Sequence, residues 1–368
     1  MISRAAERAE AERLFAAFRA AGALPVETDL LQPADILLDL YGEDIRARAY
    51  VTQDPLRGEM MLRPDFTVPV VQMHMAQVRE PARYCYQGEV FRKQDSLAPG
   101  RASEYLQVGF ELFARADPAG ADAEVFALFA GLLAPLELRP VTGDLGIILA
   151  AIRGLRTTDR RKAALTRHVW RPRRFRALLD RFAGRTPVPP ARARLLARLA
   201  ADSPQALIEA GGPLVGLRSA DEIAARARAL IEDAGQPPLS ATEAAILDDI
   251  LTLEAPSPEA LGHLRDVAVD LPSIGPSVDR LAARLDALAA RGVAVETLPF
   301  EASHGRTTLE YYDGFVFSFL ADRPGWPPVA SGGRYDALTA VLGQGRTIPA
   351  VGGVIRPALV ATLAGAAA

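Results

Sequence analysis

The chain has a single cysteine, Cys85, among 368 residues. That excludes an intramolecular disulfide framework and suits a reducing compartment, and Cys85 itself reads as a buried structural thiol on a strand. The four histidines, His74, His168, His263 and His304, are scattered, and none sits in a Cys/His cluster with metal-ligand spacing. Neither a metal nor another cofactor is expected. Positive charge is not in surplus: Lys and Arg number 42 against 45 Asp and Glu, for a net charge of −3. Binding to nucleic acid by counterion release draws on such a surplus, so nucleic acid is not an expected partner. No apolar run approaches the roughly 20 residues that span a bilayer. The nearest, around residues 126–136, reads as a short amphipathic helix ending near Pro135. The first residues, Met1 to Arg8, alternate charges in an alanine-rich helical pattern and lack the apolar core of a secretory signal, which predicts a cytoplasmic protein with no membrane partner.

What is present is 49% hydrophobic residues, enough for a substantial core in two or three domains. Residues 4–20 repeat apolar positions at helical spacing and stop near Gly22. Residues 25–31 read as extended and 33–40 as a short helix. Strands near 48–52 and 59–62 flank the turn Asp54-Pro55-Leu56-Arg57-Gly58, and a helix follows Thr67 with Val70, Val71 and Met75 inward. Long strands at 84–92 and 103–113, joined by a hairpin loop, predict an antiparallel sheet. From about residue 140 strand signals fade, and alanine, leucine and arginine dominate between proline clusters such as Pro187-Val188-Pro189-Pro190. Strand patterns resume at 293–299, 314–320 and 328–331, before a helix near Tyr335 and a last strand and helix over 348–363. The reading is a discontinuous core over 1–140 and 290–368, with a mainly helical insertion over 141–289.

The segment Ser103 to Phe113 alternates polar and apolar residues around a glycine. On a pleated strand Leu106, Val108, Phe110 and Leu112 share one face, while Gln107, Gly109 and Glu111 share the other. The second face reads either as a solvated sheet surface or as a polar cup, with Gly109 leaving floor space for a ligand. A carboxamide and a carboxylate on that cup suit a cationic or NH-bearing small molecule. The basic stretch from Arg153 to Arg176, with Trp170 and Phe175 interleaved, reads as a solvated helix face or as a docking surface for an acidic partner. Gly332-Gly333-Arg334-Tyr335-Asp336 lacks the Gly-Lys-Ser/Thr ending of a phosphate-cradling loop.

Several fragments, in order along the chain, resemble the histidyl-tRNA synthetase family. Phe91-Arg92, Gly100-Arg101, Glu104-Tyr105, Gln107 and Gly109-Phe110-Glu111 look like its motif 2, and Leu62-Arg63-Pro64-Asp65-Phe66-Thr67 resembles its Leu-Arg-Pro-Glu-x-Thr segment. Thr308-Leu309-Glu310-Tyr311-Tyr312 resembles its Gly-Leu-Asp-Tyr-Tyr, and Ser331 to Asp336 with Gly353 to Arg356 looks like motif 3. The resemblance implies an α+β, class II synthetase-like antiparallel sheet core flanked by helices. It also implies a histidine pocket of Asp65, Thr67, Gln107, Glu111, Tyr311 and Tyr312, and an anion site of Arg92, Arg101 and Arg356.

Departures from the pattern point away from an aminoacylating enzyme. Thr307 stands where the family has its reactive arginine, with Arg306 one residue off and therefore on the opposite face of an extended segment. Gln94 replaces the motif 2 glutamate, Ile355 the motif 3 glutamate, and Asp95 to Pro99 the Arg-Pro-Gln of the motif 2 loop. After Arg356 the chain continues only from Pro357 to Ala368, so no anticodon-binding domain is expected there. The chain is most similar to the family's non-catalytic branch, the synthetase-like regulatory subunits of ATP phosphoribosyltransferase. That implies no catalysis of its own and a homodimer within a hetero-oligomer. The partner implied is the short catalytic subunit, in the first step of histidine biosynthesis, with L-histidine as feedback effector. The alternative is a truncated histidyl-tRNA synthetase or a paralogous ligase forming histidyl adenylate.

Overall fold

A computed structural model describes residues 2–35, 48–77, 79–94, 100–306 and 311–367. The chain divides into two compact units, Met1–Ala150 with Ile250–Ala368, and Ala151–Asp249.

The first unit is built on a nine-stranded sheet. Its strands are β1 (Leu24–Pro25), β5 (Ala82–Phe91), β6 (Glu104–Phe113), β7 (Arg139–Asp144), β8 (Glu254–Pro256), β9 (Pro299–Glu301), β10 (Phe315–Leu320), β11 (Ala330–Arg334) and β12 (Ala350–Ile355). They run in the spatial order β1-β5-β6-β12-β11-β10-β7-β9-β8. Every pairing from β5 to β7 is antiparallel, and only β1–β5 and β7–β9 are parallel. A three-stranded sheet of β2 (Leu31–Pro33), β3 (Val51–Asp54) and β4 (Gly58–Leu62) has β4 in the middle. The unit's helices are α1 (Arg4–Ala20), α2 (Thr67–Gln77), α3 (Pro118–Leu133), α4 (Leu145–Gly154, which continues past the boundary), α5 (Ser257–Asp270), α6 (Gly275–Ala290), α7 (Asp336–Leu342) and α8 (Pro357–Ala367). This is the expected α+β core.

Period-two alternation gives the large sheet two distinct faces. Phe110 of β6 and Phe317 of β10 point to the helical side, where Phe110 meets Phe18 of α1 and Phe317 meets Phe126 and Phe129 of α3 at ring-centroid distances of 5.5 to 5.6 Å. Residues paired directly across antiparallel strands share a face. On the opposite side the register therefore aligns Tyr86, Gly109, Val354, Ser331 and Ser318 in one row, and Glu111, Gly352, Gly333 and Val316 in the next. Small residues keep this second face low, so it forms a floor.

Helix α3 continues as a 3-10 turn to Leu136, and this 19-residue stretch is long and apolar enough to cross a membrane by length and composition. It is longer than the short helix expected near 126–136. Its Ala121, Ala123, Val125, Phe126, Phe129 and Leu133 are buried in the core of the unit.

The core reclaims more of the middle of the chain than composition suggested. Strand β7 lies hydrogen-bonded between β10 and β9, and α6 packs on α3, so the boundaries expected at 141 and 289 fall at 151 and 249. Arg284 of α6 is 3% exposed and bonds Asp122 of α3 at 3.3 Å and Asp144 of β7 at 2.8 Å. Arg334 of β11 completes this buried ionic cluster, its Nη2 2.7 Å from Asp122 Oδ1. The strand expected over 293–299 is instead a 3-10 turn at Val295–Thr297, with strand only at Pro299–Glu301. The short helix expected over 33–40 lies largely outside the described residues.

The second unit, whose residues are all described, contains helices and no strand. Its core includes Leu165, Val169, Phe175, Leu179, Phe182, Leu239 and Leu247. Part of the basic stretch is structural: Arg161 is buried and donates to the Asp233 carboxylate at 2.7 Å, the Asp233 carbonyl at 2.8 Å and the Pro237 carbonyl at 2.7 Å. Arg176 pairs with Asp248, and Phe175 is a core residue. Arg173 and Arg174 are exposed.

Candidate functional site: a cleft over the polar face of the sheet

A cleft of about 1400 Å³ opens over the small-residue face of the first unit. Arg92, Arg101 and Arg356, the three arginines of the expected anion site, all line it, with Arg48 and Lys93 adding positive charge. Arg92 donates from Nε to the Pro64 carbonyl at 2.7 Å, Arg101 is exposed, and Arg356 donates to the Pro328 carbonyl with its guanidinium carbon 5.7 Å from the centre of the Tyr105 ring. Glu254 and Glu301 lie along the same cleft, so cations outnumber carboxylates there.

Of the six residues of the expected histidine pocket, Gln107 and Tyr312 line the cleft. Gln107 is fully buried, yet neither its Oε1 nor its Nε2 has a hydrogen-bond partner among the described residues. A buried carboxamide left unpaired costs free energy, about 1 to 3 kcal/mol. Its place in the cleft lining marks a spot where a ligand offering both a donor and an acceptor is favoured.

The remaining four are buried, and three of them, Tyr311, Thr67 and Glu111, are joined by hydrogen bonds. Tyr311 donates to Thr67 at 3.2 Å, and Thr67 donates to Glu111 Oε1 at 3.0 Å. Tyr86 also donates to Glu111 Oε1, at 2.9 Å, and Tyr335 donates to Oε2 at 2.5 Å. Asp65 is 3% exposed and electrostatically coupled to Glu111. Burial pushes the Glu111 carboxyl up to about 7, opposed by the Tyr335, Tyr86 and Thr67 hydroxyls and reinforced by Asp65. Burial likewise raises the Tyr312 phenol, with the Glu111 charge adding to it.

The space above Gly109 is not open floor for a ligand. A Cβ there would lie 2.2 Å from the Tyr86 ring, so the glycine admits Tyr86. Tyr86 and Tyr335 are the site residues that strand patterning missed. They become visible only through the sheet register, which sets Tyr86 directly opposite Gly109.

His304, which sequence pattern alone does not mark, is a further residue of the site. It lines the cleft, its Nε2 lies 2.9 Å from Ser318 Oγ, and burial together with nearby Arg139 pushes it down to about 4. Among the departures from the synthetase pattern, Gln94 donates to the Arg92 carbonyl at 3.1 Å. Ile355 is fully buried in β12, and Arg306 is buried. Thr307, Thr308 to Glu310, and Asp95 to Pro99 lie outside the described residues.

A family model described as histidyl-tRNA synthetase matches residues 3–242 and 221–358. A protein of Mesorhizobium japonicum named ATP phosphoribosyltransferase regulatory subunit is 34% identical over 91% of this chain and 92% of its own length. One of the same name from Brucella anthropi is 33% identical over 89% of each chain. The chain belongs to the ATP phosphoribosyltransferase regulatory subunit family. Among solved structures, a Bacillus halodurans protein titled ATP phosphoribosyltransferase regulatory subunit/histidyl-tRNA synthetase superposes with a TM-score of 0.68 at 19% identity, covering 98% of this chain and 79% of that one. A histidine–tRNA ligase subunit of Alicyclobacillus acidocaldarius gives 0.60 at 24% identity, covering 99% and 94%. At these identities the two structures support the class II synthetase-like fold. Membership in the regulatory-subunit family rests on the sequence relatives.

Proposed function

We propose that this chain is a non-catalytic, cytoplasmic regulatory subunit of ATP phosphoribosyltransferase. It assembles as a homodimer with the short catalytic subunit, supports the first step of histidine biosynthesis, and confers feedback inhibition by L-histidine. The observation that carries the reading is the match, over about nine-tenths of both chains, to relatives bearing that name. The cleft supports the effector assignment. Gln107 offers an unpaired donor and acceptor to the α-amino and α-carboxylate groups of an amino acid, Glu111 stands ready to accept from an imidazole N–H, and Tyr312 lines the cleft with Gln107 within reach of the Glu111 charge.

The test is reconstitution. Mixed with the short catalytic subunit at micromolar concentration, the chain is expected to co-elute on sizing chromatography and to switch on phosphoribosyl-ATP synthesis. Separate elution with no gain in activity would remove the assignment.

The three arginines lining the cleft favour a second reading, a ligase that forms histidyl adenylate. Against it stand Gln94, Ile355 and Thr307 at positions where the synthetase pattern has charged groups. Histidine-dependent exchange of pyrophosphate into ATP is expected to be undetectable with the purified chain. A robust exchange rate abolished by Glu111→Ala decides for the ligase.

A further inference from the structure

We infer that Tyr86 is a positioning residue for histidine recognition, its hydroxyl holding the Glu111 carboxylate in the ionised, accepting state that an imidazole N–H requires. The inference rests on the histidine-sensing reading above and adds to it a residue outside the six-residue pocket.

Each hydroxyl has one proton to give. Tyr311 donates to Thr67, so the Thr67 proton goes to Glu111 Oε1, beside that of Tyr86, while Tyr335 donates to Oε2. A carboxylate accepts at about four lone-pair positions, two on each oxygen. Oε1 is thus saturated, and Oε2 keeps one position for a ligand N–H. If Glu111 takes up a proton, it acquires a donor that conflicts with one of the three hydroxyls or with the ligand.

Tyr86 is locked in this role by its surroundings. It is fully buried, stacks on Phe66 with ring centroids 4.3 Å apart and planes 10° from parallel, and fills the space over Gly109. The groups that face or couple to Glu111 are Asp65 and Thr67 at the start of α2, Tyr86 from β5, Tyr311 and Tyr312 ahead of β10, and Tyr335 after β11. β12 presents only Gly352 at that level. Asp65 and burial push Glu111 toward the neutral form, and the hydroxyls hold it ionised.

Removing the Tyr86 hydroxyl therefore moves the carboxyl further up from about 7. Losing one charge-assisted donor changes an ionisation equilibrium about tenfold. The ionised fraction then falls most where Glu111 is already partly protonated, and recovers in alkali. Tyr86→Phe keeps the ring, its stacking and the fill over Gly109.

Calorimetric titration of histidine into the full-length wild type and Tyr86→Phe across pH 6.5 to 9 is the test. The ligand's own ionisation cancels in the ratio of the two affinities. The variant is expected to bind about eightfold more weakly at pH 6.5 and within about twofold of the wild type at pH 9. A deficit that stays constant with pH, or no deficit at all, overturns the inference while leaving histidine sensing intact. A wild type that binds no histidine overturns the sensing reading itself. A second measurement without ligand is the infrared carboxyl band assigned by its loss in Glu111→Gln. Its titration midpoint is expected to rise in Tyr86→Phe and in Tyr335→Phe, and an unmoved midpoint in both counts against the inference.

Discussion

At the residue scale, the site is made as much by glycines as by the groups that carry chemistry. A methyl carbon on Gly352 would lie 1.6 Å from Glu111 Oε2, and three hydroxyls hold that carboxylate in place, so it has nowhere to swing. Gly131, on an exposed position of α3, has nothing within 4 Å of such a methyl. The two substitutions should therefore differ in sign. Gly352→Ala is expected to lose about 1 to 3 kcal/mol through overpacking. Gly131→Ala is expected to gain about 0.5 to 1 kcal/mol by restricting the unfolded chain and favouring helix. Denaturant midpoints of the two variants check this, and matching changes would show that the crowding at Gly352 has been misread.

At the scale of elements, the long strands β5 and β6 and the helices α1 and α2 were legible because alternation and helical spacing run unbroken through them. What composition concealed is the middle of the chain. In β7, Arg139-Pro140-Val141-Thr142-Gly143-Asp144, only Val141 and Thr142 favour a strand, set between a proline and a glycine. The strand is made by its neighbours β10 and β9. Helices α5 and α6 have the same alanine- and leucine-rich character as those of the second unit, so local pattern gave no boundary. The candidate site was legible in Gln107 and Glu111 through alternation, and in the arginines through resemblance. Tyr86 reaches Glu111 from the neighbouring strand β5, and Tyr335 from just after β11, 224 residues further along the chain, so neither belongs to the alternating segment that revealed Glu111. Arg284 is a test of the redrawn boundary, since it ties α6 to α3 and β7 within the first unit. Arg284→Met removes the guanidinium from two buried carboxylates, Asp122 and Asp144, of which Asp122 keeps Arg334. Breaking one side of a buried ion pair costs about 3 to 5 kcal/mol. A correspondingly lower denaturant midpoint is expected, and an unchanged one would mean that α6 is not tied to the core as described.

At the scale of the whole molecule, a regulatory subunit acts on its partner's reaction through differences in affinity between states of the complex. Histidine that binds one state of the assembled enzyme more tightly than another shifts the population toward it. By linkage, any change in that binding free energy reappears in the inhibition curve. The site gives a handle on this, because Gln107 lines the cleft with an unpaired carboxamide and Glu111, buried behind the cleft lining, keeps one lone-pair position after its three hydroxyl bonds. If histidine binds as proposed, Gln107→Ala or Glu111→Gln removes a hydrogen bond to the ligand and leaves its partner unsatisfied, at about 1 to 3 kcal/mol. At about 1.4 kcal/mol per tenfold, histidine affinity should fall roughly five- to hundredfold. The concentration of histidine that half-inhibits the complex with the catalytic subunit should rise by the same factor in each variant. Calorimetry on the chain and inhibition curves on the complex, plotted against one another, should fall on a line of unit slope. If affinity drops while the inhibition curve stays where it was, the cleft binds histidine without governing the enzyme, and the regulatory histidine acts at another site of the assembly.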